Sequence, residues 1–476
     1  MRVNNKILFS LSNMMRTFEV LLISIFLSRF FVDKNELGEL LQVIFIASIL
    51  VTFVSGLPLS LNYFYGKYGE SRQKDLLFGK FSILLISVSL VLCVVIYASK
   101  LFISESFKNE VFTRYISIIL LYYFFKLVNT IFPNYHYLKN KLDKYLMLYT
   151  VTVISLLGCF LFDFLYGNFN AQLVLLQLLC IEFFRLIINT LIINKKELNF
   201  NSQSFKKSEF IYISTISLGV ILGAFSLYVD KYLIAILLNP TDFVYYQNGA
   251  INLPFVNIIT SSLFIALIPM FADLHVKNRI EELAKEVKKA ILKCSFFLIP
   301  ILVYCFFEAV PLIKFLYGDD FEISGHVFKI YILRYMLSVM AFSVFMGSIG
   351  LEKKSNFIIF LSAVIGLSLN LVLIPAYGIK GAAWATVFAS LITISISLYF
   401  IKKRLNLKVS DYFPIKNYFI IILLSILSYV PFYFLNMHFS LKWVVVVSSV
   451  VYYMLTLVLL NKKFDLFKVK KLLFKN

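Results

Sequence analysis

Residues 213–238 read ISTISLGVILGAFSLYVDKYLIAILL, and the short break NPTD (239–242) separates them from a second long apolar run. An α-helix rises about 1.5 Å per residue, so about 20 apolar residues cross a hydrocarbon core of about 30 Å. The quoted stretch is long enough, yet it carries an adjacent acid and base, Asp230 and Lys231. Each such charge costs roughly 2.5–3.5 kcal/mol at a bilayer centre on insertion scales, so it faces protein or a wet cavity. A membrane helix that keeps charge inside is the pattern to follow along the rest of the chain.

The pattern is general. The 476 residues are 60% hydrophobic and 15% charged, against about 45–50% and about 25% in soluble domains. Apolar runs long enough to span lie near 7–31, 38–64, 76–99, 111–133, 145–167, 171–194 and 210–238. Seven more lie near 243–271, 291–317, 327–350, 356–376, 380–401, 415–435 and 441–461. The chain therefore reads as an all-α polytopic membrane protein of about 14 transmembrane helices. Continuous apolar runs exclude a β-barrel, whose strands alternate. The first run holds Arg16 and Glu19 and no small-residue cleavage site follows, which sets it apart from a signal peptide.

Lysine and arginine collect in every second loop. One set holds Lys67, Arg72 and Lys74; Lys139, Lys141 and Lys144; Lys195 and Lys196; Lys277 to Lys289; Lys353 and Lys354; and Lys402, Lys403 and Arg404. A tail with Lys468, Lys470 and Lys471 completes it, whereas the loop 318–322, GDDFE, is acidic. Cytoplasmic loops gather such cations, so both termini are expected in the cytoplasm. The net charge of +20 then reports topology, with some attraction to anionic membrane lipid, and not nucleic-acid binding. In HVKNRIEELAKEVKKAILKC (275–294), apolar residues recur at helical spacing opposite Lys and Glu, the pattern of an amphipathic helix on the inner membrane surface. Gly219 and Gly223 form a GxxxG, a signal of close helix contact. The five cysteines lie in apolar runs without CxxC spacing and read as packing residues.

No phosphate-cradling GxxxxGK[ST], no HExxH and no metal-spaced His/Cys cluster occurs, so no cofactor or metal is implied. Loops are short throughout, and polar backbone inside a membrane needs protein or water around it. Function is thus expected between helices, as in a transporter rather than an enzyme. Arg16 with Glu19 and Glu182 with Arg185 are each three apart, hence on one helix face. Lys126, Asp230, Lys231 and Arg334 also lie within spans, whereas Glu308, near an outer end, is expected to snorkel to the interface. Several cations in one bundle suggest a cavity for an anionic substrate, so Arg16, Glu19, Lys126, Glu182, Arg185, Asp230, Lys231 and Arg334 are the candidate cavity residues. Each i,i+3 pair also reads as a self-neutralising ion pair.

The stretch NLVLIPAYGIKGAAWATVFAS (370–390) resembles the N-x-x-L-I-P-x-Y-G-I-x-G-A-A-x-A-T motif of the O-antigen-type polysaccharide flippases, in the multidrug/oligosaccharidyl-lipid/polysaccharide exporter superfamily. FLYGDDF (315–321), SIGLEKK (348–354), DKYLIAILLNPTDFVYYQNGAINL (230–253) and LSRFFVDKNELGELLQV (27–43) are similar to its other signatures. The resemblance implies a V-shaped bundle of two pseudosymmetric six-helix lobes, 1–200 and 201–404, with two further helices and a basic tail at 405–476. It implies translocation of undecaprenyl-diphosphate-linked oligosaccharide across a bacterial inner membrane by alternating access, alongside a polysaccharide polymerase and a chain-length regulator. In that frame Lys231 holds substrate, or Asp230 pairs across the lobe interface. A cation-coupled small-molecule exporter of the same superfamily, with Asp230 or Glu19 carrying the ion, and a membrane-embedded polymerase are the alternatives.

Overall fold

The computed structural model describes residues 3–68, 71–167, 169–193, 205–339, 342–438 and 442–464, and all regular structure in them is helical. Lys195, Lys196 and the tail beyond residue 464 lie outside the described residues. The helices are α1 (Val3–Phe30), α2 (Lys34–Val54), α3 (Gly56–Lys67), α4 (Ser71–Ala98), α5 (Lys100–Phe107), α6 (Glu110–Arg114), α7 (Ile116–Val128), α8 (Phe132–Leu138), α9 (Leu142–Leu165), α10 (Ala171–Ile192) and α11 (Lys207–Leu237). There follow α12 (Pro240–Gly249), α13 (Pro254–Val276), α14 (Ile280–Phe307), α15 (Ala309–Tyr317), α16 (Glu322–Ser338), α17 (Phe342–Ser348), α18 (Glu352–Leu405), α19 (Val409–Tyr412), α20 (Ile415–His438) and α21 (Lys442–Phe464).

Among the described residues, nine helical segments are long and apolar enough to cross a membrane. Some of the apolar runs are interrupted: 38–64 divides at Ser55 between α2 and α3, and 243–271 unwinds between α12 and α13. Conversely, α18 carries two of the runs in one element, bent at Gly378. The chain separates into two compact units, Met1–Val244 and Tyr245–Asn476. Helix α11, which a six-plus-six division assigns to the later lobe, packs against α2 and α3 in the first unit.

Close backbone approach fixes that packing. A Cβ on Gly56 would lie 2.3 Å from the Ser217 hydroxyl of α11, and one on Gly38 would lie 2.1 Å from the Pro240 carbonyl oxygen. Gly38 lies in the second turn of α2 and Pro240 is the first residue of α12. At its other end α11 is tied by Glu209, whose carboxylate accepts from Tyr68, from Lys80 Nζ at 3.0 Å and from the Lys206 amide at 3.0 Å. Donation to that carboxylate, with some burial, pushes the Tyr68 hydroxyl up to about 12.

Three expectations change. Gly219 and Gly223 face open space, so their GxxxG makes no close helix contact; the small residue of α11 that a neighbour approaches is Ser217. The amphipathic segment is no surface helix, because α14 runs without interruption from Ile280 to Phe307. Its Leu283, Val287 and Ile291 are fully covered by protein, and Lys288 reaches the Ser410 carbonyl at 2.8 Å. The Lys and Glu face is the solvated side of a packed helix. Of the five cysteines, Cys159 and Cys180 are exposed and only Cys294 is fully buried.

The 370–390 motif acquires a mechanical explanation. Gly378 adopts φ 58° and ψ −141°, which separates α18 into two arms, and a Cβ on Gly381 would sit 2.0 Å from the Leu373 carbonyl oxygen. A side chain is strained at the first position and has no room at the second. Gly378→Ala and Gly381→Ala should each lower the melting temperature of the detergent-solubilised protein by the equivalent of about 1–3 kcal/mol. Gly219→Ala, on an open face, should leave it unchanged; equal effects at all three would contradict this assignment.

Candidate functional site

In a membrane bundle the usual pattern inverts, with apolar residues outward to lipid and polar residues inward. Helix α10 shows it. Glu182, Arg185 and Asn189 form one buried stripe at i, i+3 and i+7, while Phe183, Phe184 and Leu191 are exposed. On α9, Tyr145, Tyr149 and Thr152 are buried at i, i+4 and i+7, with Met147, Val151 and Ile154 outside. Helix α7 contributes Tyr122 and Lys126, and α1 contributes Glu19, buried between exposed Phe18 and Val20. A short 3₁₀ turn, Asn129–Ile131, interrupts the helical run after α7 and presents the Asn129 amide to α10.

These stripes meet at Arg185. Its Nη2 donates to Glu19 Oε1 at 2.7 Å, Nη1 to Glu182 Oε1 at 3.1 Å, and Nε to Thr152 Oγ1 at 2.9 Å. Its guanidinium also lies over the Tyr149 ring, 4.3 Å from the centroid. Tyr149 donates its hydroxyl to Glu19 Oε2. Glu182 accepts from Asn129 Nδ2 at 2.7 Å and has Lys126 Nζ 3.7 Å away. Lys126 Nζ in turn donates to the Tyr122 hydroxyl at 2.9 Å. Arg16 is half-buried and within electrostatic reach of Glu19, Glu182, Tyr145 and Tyr149.

Beyond Arg185, Asn189 Nδ2 donates to the Arg185 carbonyl at 2.7 Å, and its Oδ1 lies 2.8 Å from His136 Nε2. Because that oxygen only accepts, Nε2 carries the histidine proton.

The roles divide by exposure. The side chains of Arg185, Glu182 and Glu19 are 6%, 8% and 9% exposed, whereas that of Lys126 is 22% exposed. Arg185 is held by two carboxylates and is the structural centre. Among the described residues, three cations stand against two carboxylates, leaving one positive charge in excess, and the cations with surface to offer are Lys126 and Arg16. Asn129 Oδ1 is a buried acceptor without a hydrogen-bond partner in the structure.

The structure thus gathers five of the eight sequence candidates: Arg16, Glu19, Lys126, Glu182 and Arg185. Glu19 pairs with Arg185 from another helix rather than forming a closed pair with Arg16, while Glu182 and Arg185 do pair. Asp230 is buried on α11 and accepts the Lys231 amide at 2.8 Å; the Lys231 side chain is half-buried. Arg334 belongs to the second unit, where Nη1 donates to the Tyr331 hydroxyl at 2.5 Å. Glu308 is not interfacial. It is 4% exposed and accepts the Tyr429 hydroxyl at 2.5 Å, beside Tyr304 and Tyr452. Sequence reasoning missed Tyr122, Tyr149, Asn129 and Thr152; the signal was their helical spacing from one another and from Lys126.

Residues 71–325, more than half the chain, match the sequence profile of the family described as polysaccharide biosynthesis protein. An uncharacterized membrane protein of Methanocaldococcus jannaschii is 25% identical over 444 residues, covering 85% of this chain and 84% of its own length. Among solved structures, lipid II flippase MurJ in an inward closed conformation superposes with TM-score 0.73 and 15% identity, over 96% of this chain and 98% of that one. An inward-facing multidrug resistance MATE family transporter of the MOP superfamily gives 0.65 and 12%, over 82% and 94%. At these identities the likeness concerns the fold, which is that of flippases and transporters.

Breaking a buried ion pair from one side leaves an uncompensated charge and costs about 3–5 kcal/mol. Arg185→Ala, which strands two carboxylates, should therefore lower thermal stability in detergent by that order. Lys126→Ala, which leaves Arg16 and Arg185 opposite them, should cost less than half as much. Equal losses would contradict the division into a structural centre and an accessible cation.

Proposed function

This chain belongs to the polysaccharide biosynthesis protein family, and on that premise we propose that it translocates an undecaprenyl-diphosphate-linked oligosaccharide from the cytoplasmic to the outer leaflet of a bacterial inner membrane. The excess positive charge inside the first unit carries this reading. A diphosphate brings two or more negative charges, and Lys and Arg bind phosphate through charge-assisted hydrogen bonds that strengthen away from water.

Arg185 is already committed to Glu19 and Glu182. Lys126 and Arg16 are the groups that meet the diphosphate, while Asn129 Oδ1 accepts from a sugar hydroxyl. Asp230, Lys231 and Arg334 are proposed as further contacts along the path. The isoprenoid tail stays in lipid, and the protein moves the headgroup by alternating access without covalent chemistry. Both termini lie in the cytoplasm, and a polymerase and chain-length regulator act on the exported units.

The likeness to a MATE transporter favours a second reading, export of small molecules coupled to a cation. Glu19 suits that role poorly, because Arg185 and Tyr149 already occupy its two oxygens.

In proteoliposomes carrying a fluorescent undecaprenyl-diphosphate oligosaccharide in both leaflets, the protein should make the inner-leaflet pool accessible to an impermeant external quencher, whereas protein-free vesicles protect it. Arg16→Ala and Lys126→Ala should each slow that step about tenfold or more, the equivalent of losing one charge-assisted contact of about 1.5–3 kcal/mol. Wild-type rates in both variants, or drug sensitivity without loss of surface polymer in a deletion strain, would overturn the proposal.

A further inference from the structure

The second unit holds an apolar groove that the translocation site does not use. The two arms of α18, joined by the turn at Gly378, border an open groove of about 570 Å³ lined by Phe357, Leu391, Ile392, Ile396, Tyr399 and Phe400, with Ser395. Four of the six, Phe357, Leu391, Ile392 and Tyr399, are exposed. From Leu391 to Phe400 the wall extends about 14 Å at about 1.5 Å per residue. That suits the upper part of an extended hydrocarbon chain.

One end of this groove is strongly basic. Lys354 Nζ lies 5.2 Å from the centre of the Phe400 ring, which places a cation at that end. Lys353 stands four residues before Phe357, Lys402 three after Tyr399 and Lys403 three after Phe400, so each shares a face with a groove residue. All four lysines are exposed. Arg404 is used otherwise, donating to the Ile349 carbonyl at 3.2 Å and lying 3.2 Å from His275 Nε2, so it anchors this end of the hairpin to its neighbours. Glu352 is the one acid among 352–354 and 402–404. The loop pattern puts these ends at the cytoplasmic face.

An apolar slot facing the acyl chains, capped at headgroup level by four cations, is the complement of an anionic amphiphile. We propose that the α18 groove is a binding site for an anionic phospholipid of the cytoplasmic leaflet, its acyl chain along Leu391, Ile392 and Ile396 and its phosphate among Lys353, Lys354, Lys402 and Lys403. Phospholipid is the occupant, rather than the lipid-linked substrate, because it is the abundant component of the leaflet and mass action fills a lipid-facing site with it. The proposal does not depend on the transported substrate.

The test uses the full-length protein in phosphatidylcholine nanodiscs doped with diazirine-tagged phosphatidylglycerol or, separately, diazirine-tagged phosphatidylcholine. After illumination, labelling is quantified on the peptide containing Ile392 to Phe400. Phosphatidylglycerol should label it at least about tenfold more than phosphatidylcholine. The preference should weaken in high salt and fall to near unity in the Lys353→Ala, Lys354→Ala, Lys402→Ala, Lys403→Ala variant. Ile396→Trp, which fills the slot, should reduce labelling by either lipid at unchanged melting temperature, separating loss of the site from loss of the fold. Equal labelling by the two lipids, a headgroup preference that survives removal of all four lysines, or displacement of phosphatidylglycerol by an equimolar polyprenyl diphosphate would each overturn the proposal.

Discussion

A guanidinium inside a membrane bundle must be neutralised on the spot, and Arg185 is neutralised from two helices at once. Glu182 comes from its own helix and Glu19 from α1, while Thr152 fills the third donor direction and Tyr149 covers a face. Removing either carboxylate exposes a charge that low-polarity surroundings cannot solvate. The network therefore fixes how α1, α7, α9 and α10 pack, more tightly than apolar contact could. Apolar side chains gain little by leaving lipid for a helix interface, so packing in a bilayer rests on polar links and close backbone approach. Gly56 against Ser217 and Gly38 against Pro240 are the close approaches of the same unit.

On the proposed function, the charges that hold the bundle also set its selectivity. Among the described residues, two carboxylates neutralise two of three cations, so the site keeps a net positive character with both carboxylates paired. In the proposed reading an anion meets Lys126 and Arg16 while Arg185 stays paired with Glu19 and Glu182. Stability and recognition use neighbouring atoms but different residues. In the second unit the ends of the α18 hairpin are basic and exposed, and the buried Glu308 with its tyrosines joins α14 to α20 and α21.

Much of this was legible in the sequence, for definite reasons. Helical class and membrane residence follow from hydropathy, which is local. The i,i+3 spacing of Glu182 and Arg185 announced their pairing because a helix turns by a fixed angle. The link from Glu19 to Arg185 joins residues far apart in sequence, and no spacing rule could supply it. Tyr149 and Asn129 stayed hidden because tyrosine and asparagine are ordinary near membrane interfaces and turns. The GxxxG of α11 misled for the opposite reason: spacing shows that a helix could be approached closely, not that anything does so. The amphipathic start of α14 misled because periodicity records which face is apolar, and protein covers that face as well as lipid would. Conversely, the 370–390 stretch was read as a family mark, and only the backbone at Gly378 and the Leu373 carbonyl beside Gly381 revealed it as a turn.

Whether the unneutralised charge reads phosphate is best measured by equilibrium binding of undecaprenyl diphosphate and undecaprenyl monophosphate to the purified protein and to its Arg16→Ala, Lys126→Ala double variant. The wild type should prefer the diphosphate by about tenfold, the equivalent of about 1.4 kcal/mol for one more charge-assisted contact, and the preference should vanish in the double variant while its melting temperature stays within a few degrees. Undiminished discrimination in a folded double variant would show that the diphosphate is recognised elsewhere.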